Sequence, residues 1–223
     1  MSDRLTTRER ILEASRELFN ENGYAATPVS AIAARAGIAT GNLTYHFATK
    51  RELADELEKR ARQRMREART GLRTGVIAND YVEILRFGMN KSWENRFLFR
   101  DRAQYRDGAQ ARGRDHDMAA DLEVLHEHLQ RMNKEGMFRR DLQIDLGVLA
   151  RSLFVVSRYW MDHLREVDGL EHVTWADQER GLQHHFAVLF PFLTAVARRD
   201  FESALMQLAG RQAIADAGAD EGL

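Results

Sequence analysis

The chain has 223 residues, of which 44% are hydrophobic and 30% are charged, and its formal net charge is −1. A chain of this length can bury a large core without crosslinks, so a mini-protein scaffold is excluded. It contains no cysteine, which excludes disulfides and thiolate metal sites and leads us to expect a cytoplasmic protein. The longest apolar stretch, around residues 153–157, is far shorter than the roughly 20 residues of a membrane span, so no membrane partner is expected.

Helix-start signals predict two helices at the N-terminus. Thr6 and Glu9 have the spacing of a capping box, which opens a first helix that ends at Gly23. Thr27 followed by Pro28 predicts the N-cap and first position of a short second helix. With only two prolines and no alternating strand pattern in the chain, we expect an all-α fold.

Helical spacing continues along the rest of the chain. Ile38–Phe47 forms the next unit, and Thr49 with Glu52 is a second capping box that opens a long helix to about Leu72. Further helices are predicted at about 79–98, 100–111, 115–135, 144–166, 174–196 and 198–209.

The two short helices have the spacing of a helix-turn-helix. Ala33 lets the helices approach closely, Gly37 can adopt the positive φ of a tight turn, and Leu43 pins the second helix to the first. The residues left outward are Thr40, Gly41, Asn42, Thr44, Tyr45 and His46. This face is short of acids and can enter a DNA major groove. The alternative is two ordinary bundle helices whose polar side chains are solvated.

The segment from Arg8 to Leu57, about a quarter of the chain, resembles the tetracycline-repressor (TetR) family of bacterial regulators. The pieces GY-ATPVSAIA, AGIATGNLTYHF and K-REL are similar to the family signature in order and spacing. The resemblance implies a three-helix DNA-binding domain at residues 1–47 and a helical ligand-binding and dimerisation domain at 48–209, before a tail at 210–223 that we expect to fray. It also implies a ligand-responsive repressor that binds a palindromic operator as a homodimer.

Carried over by position, the resemblance assigns DNA contacts to seven residues. Lys50 matches a phosphate-binding lysine at the start of the fourth helix, and Ser30 matches a backbone-contacting position of the second helix. The other five are Thr40, Gly41, Asn42, Thr44 and Tyr45, and the outward His46 is an eighth candidate. For His46, contact with phosphate and packing against the next phenylalanine both stay open. The chain has Thr44 where many members have tyrosine and Ala48 where lysine is common. The operator sequence of a relative therefore cannot be assigned to this protein.

Two apolar helices, predicted at 144–166 and 174–196, are implied by the resemblance to form the dimer interface, with internal core as the alternative. We expect Pro191 to kink the second of them. Aromatic residues and methionines are frequent between the predicted DNA-binding domain and the predicted dimer helices, and together they can line an apolar pocket. For each single residue, ordinary core packing is the alternative. As binding residues for an apolar or aromatic effector we select Phe87, Trp93, Phe97, Phe154 and Trp160.

Enzyme chemistry finds little support in the sequence. A di-iron carboxylate bundle needs a Glu-x-x-His pair on each of two helices, and Glu123 with His126 is one such pair. His184 and His185 are adjacent and so point about 100° apart on a helix, which makes a poor chelate. We therefore expect no enzymatic activity, no cofactor and no metal. A helical interaction module without DNA binding is a third reading, which salt-dependent DNA binding would exclude.

Overall fold

The computed structural model describes residues 5–71, 74–105 and 116–220, which are helical apart from short connections. Within these ranges the one pairing of extended residues is an antiparallel bridge between Phe138 and Leu193, and the predicted all-α fold is confirmed. None of the helices in these ranges is long and apolar enough to cross a membrane. The helices are α1 (Thr7–Asn22), α2 (Val29–Arg35), α3 (Thr40–His46), α4 (Lys50–Gly71), α5 (Ile77–Glu94), α6 (Phe97–Arg100), α7 (Arg102–Tyr105), α8 (His116–Lys134), α9 (Leu146–Glu166), α10 (Trp175–Leu189) and α11 (Ala195–Asp220), with a 3-10 turn at Phe190–Phe192.

The chain divides into two compact units. The first comprises Met1–Glu67 and Asn90–Arg114, and the second comprises Ala68–Met89 and Asp115–Leu223. This division differs from the predicted boundary at residue 47. The reason is packing: Leu53 and Leu57 of α4 and the remote Phe97 are buried in the same core as α1, α2 and α3.

The first helix begins and ends at the predicted residues. The side chain of Thr6 accepts a hydrogen bond from the backbone N–H of Glu9, and the Glu9 carboxylate accepts one from the Thr6 backbone at 2.8 Å. Gly23 ends α1 with a positive φ of 92°. Between these caps, Ile11 and Phe19 of α1 are fully buried. The predicted capping box and glycine terminus are therefore confirmed.

The start of α2 differs from the prediction. Pro28, rather than Thr27, occupies the N-cap position of this helix. The hydroxyl of Thr27 lies 2.7 Å from the carbonyl oxygen of Gly23 and 3.2 Å from that of Leu18, and the side chain is fully buried. The predicted N-cap at Thr27 is wrong because this tertiary contact with α1 engages the hydroxyl.

In the second unit, α9, α10 and α11 share one core, to which Leu153, Phe186 and Phe201 contribute fully or almost fully buried side chains. The helix predicted at 174–196 is interrupted: α10 ends before Pro191, which lies in a 3-10 turn, and Leu193 is extended. We predicted a kink, but the break is complete. The chain leaves helical geometry because Leu193 forms the bridge with Phe138 on another segment.

The last helix is longer than predicted. It runs over Ala195–Asp220, past residue 209, where the sequence was expected to begin fraying. Alanine occupies four of the seven positions from 213 to 219, and alanine has the highest helix propensity of all residues. Local propensity therefore favours a helix even where large apolar side chains are scarce.

Candidate nucleic-acid interface

The turn between α2 and α3 has the geometry of a helix-turn-helix. Gly37 adopts a φ of 68°, which favours glycine, and the backbone N–H of Ile38 donates to the carbonyl oxygen of Ala33 at 3.0 Å. Ala33 is buried and adds little bulk where the helices approach each other. Leu43 of α3 is fully buried in the same core. The predicted roles of these residues are confirmed.

One face of α3 points away from this core. Gly41 and Tyr45 lie two positions before and after the buried Leu43, which places them on the opposite side of the helix. Both are exposed, and the Tyr45 side chain is 85% exposed. Thr44 is exposed as well, and its hydroxyl donates a hydrogen bond to the carbonyl oxygen of Gly41 at 3.0 Å. The α3 face therefore offers an aromatic side chain beside two small residues.

The rest of this face is polar and carries no acidic side chain. Thr40 and Asn42 are exposed. His46 is half-buried, and its ring lies edge-on to the Tyr45 ring with the two centroids 5.5 Å apart. On α2, Ser30 is exposed in the first turn. Polar groups without negative charge can approach phosphates and base edges.

Lys50, the predicted phosphate ligand, is engaged with the protein itself. Its ammonium nitrogen donates to the carbonyl oxygens of Tyr24, Ala25 and Thr27 at 2.8, 3.3 and 3.1 Å. The nitrogen also lies 4.6 Å from the centroid of the Tyr24 ring. Burial lowers the pKa of this ammonium. In this arrangement Lys50 joins the start of α4 to the link between α1 and α2.

Two arginines of α1 lie near the motif in different ways. Arg8 donates to the Glu56 carboxylate at 3.1 Å, and its guanidinium lies 4.8 Å from the centroid of the Phe47 ring. Arg10 is exposed, and one guanidinium nitrogen reaches the turn beside Gly37. Sequence reasoning missed Arg10 because no local pattern indicates that the start of α1 lies next to the turn between α2 and α3.

The segment after α5 supports the end of α1. The Asn20 amide nitrogen donates to the Glu94 carbonyl oxygen at 2.8 Å, and its amide oxygen accepts from the Phe97 N–H at 3.1 Å. The carboxylate of Asp101 accepts from the Tyr24 N–H at 2.8 Å. Asn20 and Asp101 are buried, so these bonds satisfy backbone groups that would otherwise lack partners. The sequence contains no signal for this long-range capping.

The five predicted effector-binding residues do not lie in one unit. Trp93 and Phe97 belong to the first unit, whereas the other three belong to the second. Phe97 is fully buried, with its ring centroid 5.1 Å from that of Phe19. The guanidinium of Arg96 lies 4.5 Å from the centroid of the Trp93 ring. For Phe97 the structure therefore shows core packing, the alternative left open by the sequence.

The other three predicted effector-binding residues differ in burial. Phe87 and Phe154 are half-buried, whereas Trp160 is 8% exposed. The indole N–H of Trp160 donates to the Asp177 carbonyl oxygen at 2.9 Å. A Cβ atom built on Gly181 would lie 2.7 Å from the Trp160 ring, so the ring packs directly on the backbone of α10. Trp160 thus has a clear structural role between α9 and α10.

A buried hydrogen-bonded network that sequence reasoning missed crosses the second unit. Nε2 of His185 lies 2.7 Å from the Tyr81 hydroxyl, and Nδ1 lies 2.7 Å from the Ser157 hydroxyl. Burial lowers the pKa of His185 to about 3 and raises the pKa of Tyr81. The neighbouring His184 instead packs against the Trp160 ring in a tilted arrangement, with the two centroids 4.3 Å apart. The two adjacent histidines therefore point to different surroundings, as their spacing predicted.

The one Glu-x-x-His pair lies on α8. Nδ1 of His126 lies 4.0 Å from a carboxylate oxygen of Glu123, and both side chains are partly or largely exposed. Among residues 5–71, 74–105 and 116–220, no group of three or more histidine and acidic side chains is arranged to hold a metal ion. This pair therefore has the geometry of a helix-surface contact.

Two family models match the sequence. The model for bacterial regulatory proteins of the tetR family matches residues 11–57, which include α2 and α3. The TetR model, described as a bacterial transcriptional repressor, matches residues 52–201, more than half of the chain. Together the matches extend from the first helix to α11.

Known proteins agree with this assignment. The HTH-type transcriptional regulator UidR of Escherichia coli (strain K12) is 39% identical over 70 residues, which cover 30% of this chain and about a third (36%) of UidR. A TetR-family regulator from Marinobacter aquaeolei VT8 shares the fold, with a TM-score of 0.75 at 21% identity over 89% of this chain and 97% of that one. A γ-butyrolactone receptor described as ArpA-like has a TM-score of 0.67 at 21% identity, over 90% and 95% of the two chains. The chain therefore belongs to the TetR family of bacterial transcription regulators and is not an enzyme.

Proposed function

We propose that this protein is a repressor that binds a palindromic DNA operator as a homodimer and is released by a small apolar or aromatic molecule. The observation that carries the proposal is the exposed, acid-free face of α3, opposite the buried Leu43. Repression is supported by the match to a family model described as a transcriptional repressor. A protein that regulates transcription from chromosomal DNA would act in the bacterial cytoplasm.

DNA contact is assigned mainly to α3. Asn42 can pair its amide with the edge of an adenine, and Tyr45 can reach a phosphate or the groove wall because it is almost fully exposed. We assign contacts with the DNA backbone or base edges to Ser30, Thr40 and His46, of which Ser30 and Thr40 are exposed and His46 is half-buried. The list of candidates is Ser30, Thr40, Gly41, Asn42, Thr44, Tyr45, His46 and Lys50, and we add Arg10 because its guanidinium lies beside the turn at Gly37. Lys50 can bind phosphate only if its ammonium leaves the carbonyl oxygens that it now contacts.

The test starts from the full-length protein and a pool of random DNA duplexes. We expect enrichment of an inverted repeat, and binding that weakens as salt rises. Tyr45→Ala should lower affinity for the enriched DNA at least tenfold without unfolding the protein. Met206→Ala, a substitution at an exposed site on α11, is the matched control and should leave affinity unchanged. Failure to enrich any sequence would support the interaction module without DNA binding.

The dimer is inferred from the reach of a single α3 and from the surface of α9. One short recognition helix reads only a few base pairs, so specific binding requires two copies. Val148, Val155 and Tyr159 are 60%, 53% and 47% exposed, and their spacing of seven and four residues places them on one face of α9. An apolar stripe on a long helix is suited to pair with its copy.

Sedimentation tests the dimer separately from DNA binding. The wild-type protein should sediment at twice the chain mass of 25.6 kDa, and Val155→Lys should sediment as one chain. Val76→Lys places the same substitution on a valine outside both predicted dimer helices that is 55% exposed, and this variant should stay dimeric. A wild-type protein that is monomeric at micromolar concentration would refute the dimer, and a dimeric Val155→Lys variant would refute this interface.

The effector proposal rests on the helical second unit and on a structural neighbour that is named as a γ-butyrolactone receptor. Phe87 and Phe154 are the better candidates for contact because both are half-buried, whereas the Trp160 ring is fixed by its packing on α10. Trp93 and Phe97 belong to the first unit. An apolar site with a few aromatic side chains suits a small hydrophobic molecule.

Thermal unfolding with an acylated γ-butyrolactone and a panel of aromatic hydrophobic compounds tests this proposal. A compound that binds the folded state at 100 times its Kd stabilises the protein by about 2.7 kcal/mol. Compounds that raise the unfolding temperature should also release bound DNA, and Phe154→Ala should reduce both effects. A binder that leaves DNA affinity unchanged would contradict its role as an effector, since only differential affinity for two states can shift their equilibrium.

A further inference from the structure

The hydroxyl of Thr44 is already used inside α3. It donates to the carbonyl oxygen of Gly41 at 3.0 Å, while the Thr44 side chain itself is exposed. A threonine hydroxyl carries one hydrogen, so this bond occupies the only donor of the side chain. Thr44 therefore offers an outside partner its methyl group and the remaining acceptor capacity of its oxygen, but no free donor.

Gly41 leaves space beside Thr44 on the recognition helix. Its φ is not positive, and a Cβ atom built on it would meet no atom within 4 Å. Alanine would therefore fit here and would favour the helix more than glycine does. Packing within the described part of the chain gives no reason for glycine at this position. Its lack of a side chain leaves a shallow notch on the exposed face, one turn before Thr44.

We propose that Thr44 reads thymine through its methyl group, with the C5 methyl of the base seated against the Thr44 methyl at the Gly41 notch. The inference rests on the proposed binding of α3 in the major groove and specifies which base feature one residue recognises. Thymine is the base that presents a methyl group in that groove. Contact between two methyl groups removes both from water.

The chemistry of Thr44 supports this reading over a hydrogen-bonded one. Guanine N7 and O6, adenine N7 and thymine O4 are acceptors, and they require a donor that the Thr44 hydroxyl has committed to Gly41. The amino groups of adenine and cytosine are donors and could use the free acceptor capacity of the hydroxyl. Valine and serine separate these two cases, because valine keeps the methyl group and serine keeps the hydroxyl.

The experiment uses full-length protein and the DNA enriched from random duplexes. Each thymine of one half-site is replaced in turn by deoxyuridine, which lacks the C5 methyl, and the mirrored position is replaced at the same time. We expect one position at which the replacement weakens wild-type binding by about fourfold per half-site, the effect of burying one methyl group. Thr44→Val should keep this sensitivity to deoxyuridine, and Thr44→Ser should lose it at that position alone.

The outcomes separate this inference from the proposed function. If DNA is enriched but no deoxyuridine replacement weakens binding, thymine reading by Thr44 is wrong while DNA binding stands. The inference is also overturned if Thr44→Ser keeps the sensitivity, since the Thr44 methyl group would then not be the group that contacts the thymine methyl. If the folded wild-type protein enriches no DNA, the proposed function is wrong, and the inference that rests on it is wrong as well. Thermal unfolding of both variants establishes that they are folded.

Discussion

The ammonium of Lys50 donates a hydrogen bond of 2.8 Å to the Tyr24 carbonyl oxygen while it lies 4.6 Å from the centroid of the Tyr24 ring. The carbonyl oxygens of Ala25 and Thr27 lie at 3.3 and 3.1 Å. Because an ammonium group has three hydrogens, these three acceptors can occupy all of them. Lys50 therefore holds the link between α1 and α2 against the start of α4, which positions the helix-turn-helix.

Replacing Lys50 by methionine should lower the free energy of unfolding by about 1–3 kcal/mol, because hydrogen bonds to a charged group are lost. If Lys50 acts only through the α1–α2 link, the slope of log affinity against log salt should not change. A phosphate contact would instead flatten that slope by about one unit. Lys59→Met, an exposed lysine on the same helix, is the control for stability. Unchanged stability with a flatter slope would establish Lys50 as a phosphate ligand.

Two glycines near the recognition helix should respond in opposite ways to alanine. Gly41→Ala should raise the free energy of unfolding by up to about 1 kcal/mol, because the added Cβ meets open space in a helix. The same substitution should weaken DNA binding if the notch receives a base. Gly37→Ala should instead destabilise the protein by about 1 kcal/mol or more, because φ is 68° there. Chemical unfolding and DNA titration of both variants check this, and a destabilised Gly41→Ala variant would contradict it.

The helix-turn-helix could be predicted from sequence because its signals are local. The Thr6 and Glu9 capping box, the glycine that ends α1 and the glycine in the turn each depend on neighbours within a few residues. The buried position of Leu43 followed from helical spacing in the same way. At such positions the chemistry of a short segment decides the backbone, and the exposed face of α3 follows from it.

Predictions differed from the structure where contacts outside the local helix pattern engage a group. The Thr27 hydroxyl donates to the carbonyl oxygens of Leu18 in α1 and of Gly23 at the C-cap of α1 instead of capping α2. Phe97 was expected to line an effector pocket, but it packs against Phe19 because the segment after α5 returns to the first core. Leu193 forms a bridge with Phe138, so the chain breaks at a site where proline alone predicted a kink. Phe97 and Leu193 have partners that are far away in sequence, whereas the Thr27 hydroxyl is engaged by carbonyls four and nine residues before it.

Trp160 and Gly181 should be strongly coupled in stability. In the wild-type protein, Gly181→Ala forces the new Cβ to within 2.7 Å of the Trp160 ring unless the ring moves, and overpacking of this kind costs about 1–3 kcal/mol. In a Trp160→Ala background that clash is gone, and alanine should then stabilise α10 by up to about 1 kcal/mol. Unfolding of the four proteins gives the coupling energy. Equal effects of Gly181→Ala in both backgrounds would contradict the close packing.

His185 should make the stability of the second unit depend on pH. Burial lowers the folded-state pKa of His185 to about 3. The His185 ring contacts the hydroxyls of Tyr81 and Ser157. The Tyr81 ring in turn lies edge-on to the His128 ring, with the two centroids 6.0 Å apart. An unfolded histidine titrates near about 6.5, so below that pH the unfolded chain binds a proton that the folded chain does not. The contribution of His185 to the free energy of unfolding therefore has its full value above about pH 6.5 and falls as the pH drops toward 3.

Between pH 7 and pH 5 this linkage should cost about 2 kcal/mol in the free energy of unfolding, since each pH unit below about 6.5 contributes about 1.4 kcal/mol. His185→Gln keeps polar atoms in the network but cannot titrate, so the pH dependence over this range should shrink by that amount. His172→Gln removes an exposed histidine of the same unit and should leave most of the dependence in place. Denaturant unfolding at the two pH values compares the three proteins. If His185→Gln loses as much stability as the wild-type protein on going to pH 5, another group is responsible for the acid sensitivity.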